Sequence, residues 1–279
     1  MFKNKYVVNS NFILENRDKS NFFVIDARGD MLKIGDYVYD NSIILDWKEF
    51  TYLNNGVGSE FVGLYFNRET LKNKFKKYGI EENSIVLVYI NTEKNSGMGE
   101  DGRFKFLLNF CGIEAYILDG GINEVLKTPF TRKIKCEQEL KKAVLDFEQK
   151  PCLDYEKSVT TSMLFDMSKD ENVKILDVRY KSEYDGEIIF GEKFGGHIVN
   201  SISFPYTELY DDKGYLLSNE QIESKIFKCN ISKENTIVVY CTSGIRASIV
   251  YEIFTMLGFN TLVYDESFAR WCVVGDYEV

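Results

Sequence analysis

A chain of 279 residues, 44% hydrophobic and 15% aromatic, carries enough apolar mass for two hydrophobic cores, more than one domain of ordinary size requires. Its net charge of −9 excludes nucleic acid as an expected partner, because the phosphate backbone would be repelled, but leaves room for a local basic pocket holding a small anion. No apolar run reaches the length of a membrane span, and residues 1–10 carry Lys and Asn where a secretory signal needs an apolar segment, so no membrane contact and a cytoplasmic location are expected. Six cysteines (Cys111, Cys136, Cys152, Cys229, Cys241 and Cys272) are too dispersed for a disulfide scaffold; with no Cys-x-x-Cys pair and one His, neither a metal site nor a cofactor is expected.

From the amino end, the first strand-like segment is Phe22-Phe23-Val24-Ile25-Asp26-Ala27-Arg28, which returns as Val173-Lys174-Ile175-Leu176-Asp177-Val178-Arg179 after 151 residues. Residues 80–90 return as 231–241 at the same offset, and Cys111-Gly112-Ile113 matches Leu257-Gly258-Phe259 at an offset of 146, so the first copy is five residues longer after Ile90. Strands alternating with amphipathic stretches at 71–78 and 104–110 predict right-handed βαβ units and a parallel sheet in each half. The chain is read as a tandem α/β duplication: residues 1–128, a connector over 129–158, and residues 159–279. Leu140, Ala143, Val144 and Phe147 give the polar connector a sparse apolar face and some expected helix.

In the second copy, Ile237, Val238 and Val239 form a β-branched run without alternation, as in a parallel strand buried on both faces. Ile249, Val250, Ile253, Phe254 and Leu257 then recur at helical spacing, and Gly258 is placed to end the helix in the left-handed conformation. Between strand and helix lies Cys241-Thr242-Ser243-Gly244-Ile245-Arg246. A loop that opens a helix offers unpaired backbone N–H groups and a positive helix end, and both favour an anion such as a thiolate. The first copy has Ile90-Asn91-Thr92-Glu93-Lys94-Asn95 there, and Ile90 has no nucleophilic atom.

The cysteine loop resembles that of the rhodanese family of sulfurtransferases, whose six-residue loop begins with the persulfide-forming cysteine. The resemblance extends to Asp177-Val178-Arg179, to Gly196-His197-Ile198-Val199-Asn200-Ser201-Ile202-Ser203-Phe204-Pro205 and to Tyr264-Asp265-Glu266-Ser267-Phe268-Ala269-Arg270-Trp271, which stands where the family closes its pocket. It implies two tandem rhodanese-like domains, each a parallel sheet flanked by helices, with the amino-terminal one lacking the catalytic cysteine. Val199, Asn200 and Ser203 replace the family's Pro, Gly and Asn, and Glu266 replaces a Gly in a way expected to narrow or acidify the entrance; Asn200 tolerates a left-handed turn. His197, Asp177 and Arg179 are expected to support the fold, His197 through a backbone hydrogen bond.

The resemblance also implies a mechanism: Cys241 takes sulfur from a donor such as thiosulfate or 3-mercaptopyruvate and passes it to a thiol or cyanide acceptor, or to a protein acceptor. The backbone of Thr242, Ser243, Gly244, Ile245 and Arg246 would surround the sulfur. Arg246, the loop's only cation, and Lys193 are the candidates for a donor's anionic group. Thr242-Ser243 matches neither family pattern fully, Arg246 replaces the usual final Thr, and Glu183 stands where both animal types place a substrate-binding Arg; thiosulfate is the donor expected over 3-mercaptopyruvate. A Cys-x5-Arg phosphatase is disfavoured, since Arg246 follows Cys241 by five positions rather than six and Tyr240 replaces its usual His. The non-enzyme alternative is a relay or binding module that accepts persulfide from a partner.

Overall fold

Ile85–Tyr89 and Thr236–Tyr240 occupy matching places in the repeat, and each is the middle strand of a five-stranded parallel sheet. The computed structural model describes residues 1–53, 56–93, 96–140, 151–152 and 156–279. They fall into two units: unit 1 holds Met1–Phe50, Arg68–Gln149 and Tyr210–Leu216, and unit 2 holds Thr51–Asn67, Lys150–Leu209 and Leu217–Val279. Each unit thus contains a short segment from the other half of the sequence.

In unit 1 the elements are β1 (Val7–Val8), α1 (Asn11–Asn16), β2 (Phe22–Asp26), β3 (Tyr37–Tyr39), β4 (Ile43–Ile44), α2 (Arg68–Lys77), β5 (Ile85–Tyr89), α3 (Glu100–Phe110), β6 (Glu114–Leu118), α4 (Ile122–Val125) and β7 (Thr131–Lys133). Its sheet runs β1-β6-β5-β2-β4, and β7 pairs antiparallel with β3. The expected connector therefore begins as a strand of unit 1 and continues as a short 3₁₀-helix at Glu137–Leu140; Ala143, Val144 and Phe147 lie outside the described residues. Ile13, Val24, Leu87, Tyr89 and Leu118 form part of its core.

In unit 2 they are β8 (Ser158–Val159), α5 (Thr161–Met167), β9 (Val173–Asp177), α6 (Lys181–Tyr184), β10 (His197–Ile198), β11 (Ile202–Ser203), α7 (Asn219–Lys228), β12 (Thr236–Tyr240), α8 (Ile245–Met256), β13 (Asn260–Tyr264), α9 (Ser267–Val274) and β14 (Tyr277–Glu278). The sheet order is β11-β9-β12-β13-β8, the same winding as in unit 1. Ile237, Val238 and Val239 are fully buried, as expected for a strand covered on both faces. Helix α8 is buried continuously from Ile245 to Phe254, so its apolar positions form part of an all-round buried helix rather than a single stripe. Gly258 follows it at φ +84, the left-handed residue that ends the helix.

The repeated Asp-x-Arg motifs do the same job twice. Arg28 forks onto Asp26 at 2.9 and 2.7 Å, and Tyr89 donates to Asp26 at 2.6 Å. Arg179 forks onto Asp177, its closest approach 2.6 Å, and Tyr240 donates to Asp177 at 2.7 Å. These charges are buried but paired and hydrogen-bonded, the condition under which buried ions are tolerated. His197 serves the fold as expected: its Nδ1 lies 2.8 Å from the Tyr184 carbonyl oxygen and its ring stacks on Tyr184. Asn200 takes the left-handed conformation, φ +63.

Candidate active site

Tyr240 pairs in register with Asp177 at the carboxyl end of the central strand, so the next residue, Cys241, leaves the sheet where α8 begins. Cys241 is 1% exposed. Its N–H donates to Ser267 Oγ at 3.1 Å, and its carbonyl accepts from Phe268 N at 3.0 Å, which ties the loop to the start of α9. Ala269 N donates to the Thr242 carbonyl at 3.0 Å. Gly244 turns the chain at φ +84; a Cβ there would meet Asp265 Oδ1 at 2.1 Å, so only glycine fits between the loop and β13's end.

Among the described residues, no acceptor serves the backbone N–H groups of Ser243, Gly244, Ile245 and Arg246. They lie at the amino end of a twelve-residue helix, whose dipole adds about half a positive charge. A loop with unspent donors, a positive helix end and a cysteine at its first position is suited to hold an anionic sulfur.

The side chains around the loop are charged and buried. Arg246 donates to both Glu183 oxygens, at 2.5 and 2.9 Å, and to Thr242 Oγ1 at 2.8 Å. Thr242 in turn donates to Glu192 Oε1 at 2.9 Å. Glu183 is completely buried, and Arg246, Glu192 and Thr242 are nearly so. Burial works against the charge of Arg246, but the Glu183 carboxylate and the nearby Cys241 outweigh it and hold the guanidinium above its ordinary range. The rings of Tyr180 and Phe190 lie 5.6 and 5.1 Å from it.

The rhodanese-like domain family matches residues 160–273, the span that contains every residue of this loop together with Glu183, Glu192 and Ser267. Residues 160–273 are a rhodanese-like domain. The thiosulfate sulfurtransferase of Azotobacter vinelandii is 27% identical over 213 residues, covering 75% of this chain and 74% of that protein. The 3-mercaptopyruvate sulfurtransferase of Escherichia coli is 26% identical over 115 residues, 40% of this chain and 41% of that protein. Among solved structures, an anaerobic ergothioneine biosynthesis enzyme from Chlorobium limicola, in complex with trimethyl histidine, aligns with a TM-score of 0.77 at 18% identity, over 98% of this chain and 70% of that one. The whole chain therefore has the tandem rhodanese-like fold.

Within this rhodanese-like unit the structure brings Cys241, Thr242, Ser243, Gly244, Ile245 and Arg246 into one turn and leaves Lys193 exposed, its ammonium 5.5 Å from the Phe194 ring. Phe268 and Trp271 belong to the core cluster. Glu266 is not a free entrance carboxylate: it is 6% exposed and accepts from Phe61 N at 3.1 Å, Thr161 N at 3.3 Å and Thr161 Oγ1 at 2.7 Å. Three supports were not read from the sequence. They are Glu192, Ser267 as acceptor for the Cys241 N–H, and Gly63, whose Cβ position lies 3.2 Å from Ser243 Cα. Gly63 and Gly214 stand 151 residues apart in the repeat, a signal that marks both as positions of close backbone approach.

In unit 1 the matching loop is differently filled. Ile90 occupies the cysteine's place, and its carbonyl accepts from Ile122 N as that of Cys241 does from Phe268 N. Carboxylates of α3's own first turn take nearby N–H groups, Glu100 from Met98 and Asp101 from Gly102, at 2.7 and 2.8 Å. Lys94 and Asn95 lie outside the described residues.

Proposed function

We propose that the chain is a sulfurtransferase that moves sulfane sulfur from a small donor to a thiophilic acceptor through a persulfide on Cys241. The observation that carries this reading is the position of Cys241 at the head of a loop with unengaged N–H groups at a helix amino end. The Cys241 thiolate attacks the donor's transferable sulfur and a new S–S bond forms; the donor's S–S bond breaks with sulfite leaving from thiosulfate or a thiolate from an organic persulfide, or the C–S bond of 3-mercaptopyruvate breaks with pyruvate enolate leaving, and in each case the leaving group takes the electron pair. An acceptor such as cyanide or a thiol then attacks the outer sulfur and returns Cys241 as thiolate. The loop N–H groups stabilise the anionic sulfur at both stages without a side-chain base.

The burial of Cys241 favours small diffusible donors, and the transferable sulfur of the persulfide lies about 2 Å farther out than the thiol. Names of relatives offer both thiosulfate and 3-mercaptopyruvate as donors. Mass spectrometry of donor-treated protein is expected to show a single added sulfur on the peptide containing Cys241, and Cys241→Ser is expected to abolish thiocyanate formation from cyanide. A sulfur adduct confined to Cys229 or Cys272, with Cys241→Ser fully active, would overturn the assignment. A relay module would load Cys241 from a protein partner but turn over small donors poorly in the same assay.

A further inference from the structure

We infer that Glu183 and Glu192 make the cysteine loop selective against dianionic sulfur donors, so that sulfur enters on a carrier bringing at most one negative charge, such as an organic persulfide. The inference rests on the Cys241-persulfide reading and runs against the sequence-based expectation of thiosulfate.

The charges beside Cys241 carry it. The loop's one cation, Arg246, is neutralised by a two-point pair with Glu183, and Glu192 adds a second carboxylate through Thr242, the residue next to the cysteine. One guanidinium thus faces two carboxylates, all three nearly or wholly buried, where charges are poorly screened and their balance is felt strongly. Of the other basic groups, Arg179 is committed to Asp177 and the Gly196 carbonyl, and Lys193 is exposed. Asp265, beside Gly244, adds a further acidic side chain against the loop. The remaining positive potential comes from backbone N–H groups and the helix end, about half a charge, which suits one anionic sulfur but offers nothing to a sulfonate group.

Thiosulfate must bring two negative charges to this position before sulfite can leave. An organic persulfide brings one, and its carrier leaves as a thiolate after the same S–S exchange. Glu183 and Glu192 are therefore specificity-determining residues: the first withholds Arg246 from the donor, and the second keeps the surroundings acidic.

The test compares sulfur loading onto Cys241 by thiosulfate and by L-cysteine persulfide generated in situ, read by rapid quenching and mass spectrometry. Wild-type protein is expected to load from the persulfide at least about tenfold faster. Glu183→Gln, which frees Arg246 for the donor, is expected to raise thiosulfate loading by about tenfold to a hundredfold through a lower KM, the range for one charge-assisted contact, and so to move the thiosulfate-to-persulfide ratio toward thiosulfate. Glu192→Gln should shift the ratio the same way, and because it keeps the Arg246–Glu183 pair it decides the matter if Glu183→Gln does not fold. Adding Arg246→Gln to Glu183→Gln should erase the gain. Equal loading from both donors in wild type, or a ratio unmoved by either substitution, overturns the inference while leaving the sulfurtransferase reading standing. Failure of every donor to load wild-type Cys241 overturns both.

Discussion

Arg246 and Glu183 have almost no access to water, so each holds the other's charge in place of solvent. Truncating one member of such a pair leaves the other charged, buried and uncompensated, at a cost of about 3–5 kcal/mol. Arg246→Ala is therefore expected to lower the unfolding free energy read from urea denaturation by that amount before any effect on donor binding is read; a loss under about 1 kcal/mol would show that water reaches the pair. Asp101 in unit 1 is a second exposed consequence of burial. Its Oδ1 accepts from Gly102 N, its Oδ2 is buried with no partner among the described residues, and burial pushes its carboxyl up from 3.8 to about 7. The unfolded chain releases that proton near pH 4 and the folded chain near 7, so between these values the native state holds the extra proton and stability falls as pH rises. Asp101→Asn should remove this slope: the stability difference between variant and wild type, from denaturation curves at several pH values, should grow in the variant's favour from pH 4 to pH 7. A flat difference would contradict the assignment. Of these residues, the sequence marks Glu183 through its departure from the family's Arg, but its bond to Arg246 spans 63 positions and no local pattern announces it.

The strand, loop and helix around Cys241 were legible because each has a local cause: a β-branched run, a Gly able to turn left-handed, and apolar residues at helical spacing. What was not legible was the cover. Helix α8 reads as one apolar stripe, yet it is buried all round, since polar residues such as Glu252 also lie inside. The segment Thr51–Asn67 has no periodicity that ties it to unit 2, and its bonds there (Phe61 N to Glu266, Tyr65 N to Asp265) join residues about two hundred positions apart. Gly63 lies against the backbone of the cysteine loop. At φ +86, with a Cβ position 2.9 Å from the Asp265 carbonyl oxygen and 3.2 Å from Ser243 Cα, any side chain meets backbone rather than a yielding side chain. Gly63→Ala is expected to cost about 1–3 kcal/mol in strain and to shift the cysteine loop enough to slow sulfur loading by tenfold or more, since misplacement by about 1 Å can cost a hundredfold. Unchanged loading and an unchanged melting temperature would show that Gly63 is not seated against the loop.

At the scale of the whole molecule the duplication was readable from offsets of 151 and 146, and it predicts matching sheets, which are found. The repeat governs even the exchanged segments: Tyr65 N donates to Asp265 in unit 2 as Leu216 N donates to Asp119 in unit 1. A cut through the sequence midpoint therefore does not yield two complete units. A fragment lacking residues 1–128 loses Thr51–Asn67, and with it the N–H donors of Phe61 and Tyr65 to two buried carboxylates and the Gly58 carbonyl that accepts from Arg270 at 2.9 Å. Each lost partner of a buried carboxylate costs about 1–3 kcal/mol, and the half-buried Arg270 loses its acceptor as well, a sizeable share of the total stability of an ordinary domain, about 5–15 kcal/mol. The fragment is expected to aggregate or to load sulfur poorly, although it contains Cys241 and its whole loop. Co-expression with residues 1–150, which carry the missing segment in trans, should recover soluble and active protein, whereas residues 1–150 with Gly63→Ala should recover less. A fragment of residues 129–279 that is soluble, monomeric and as active as the full chain would show that the exchanged segment contributes nothing to the unit that holds the cysteine.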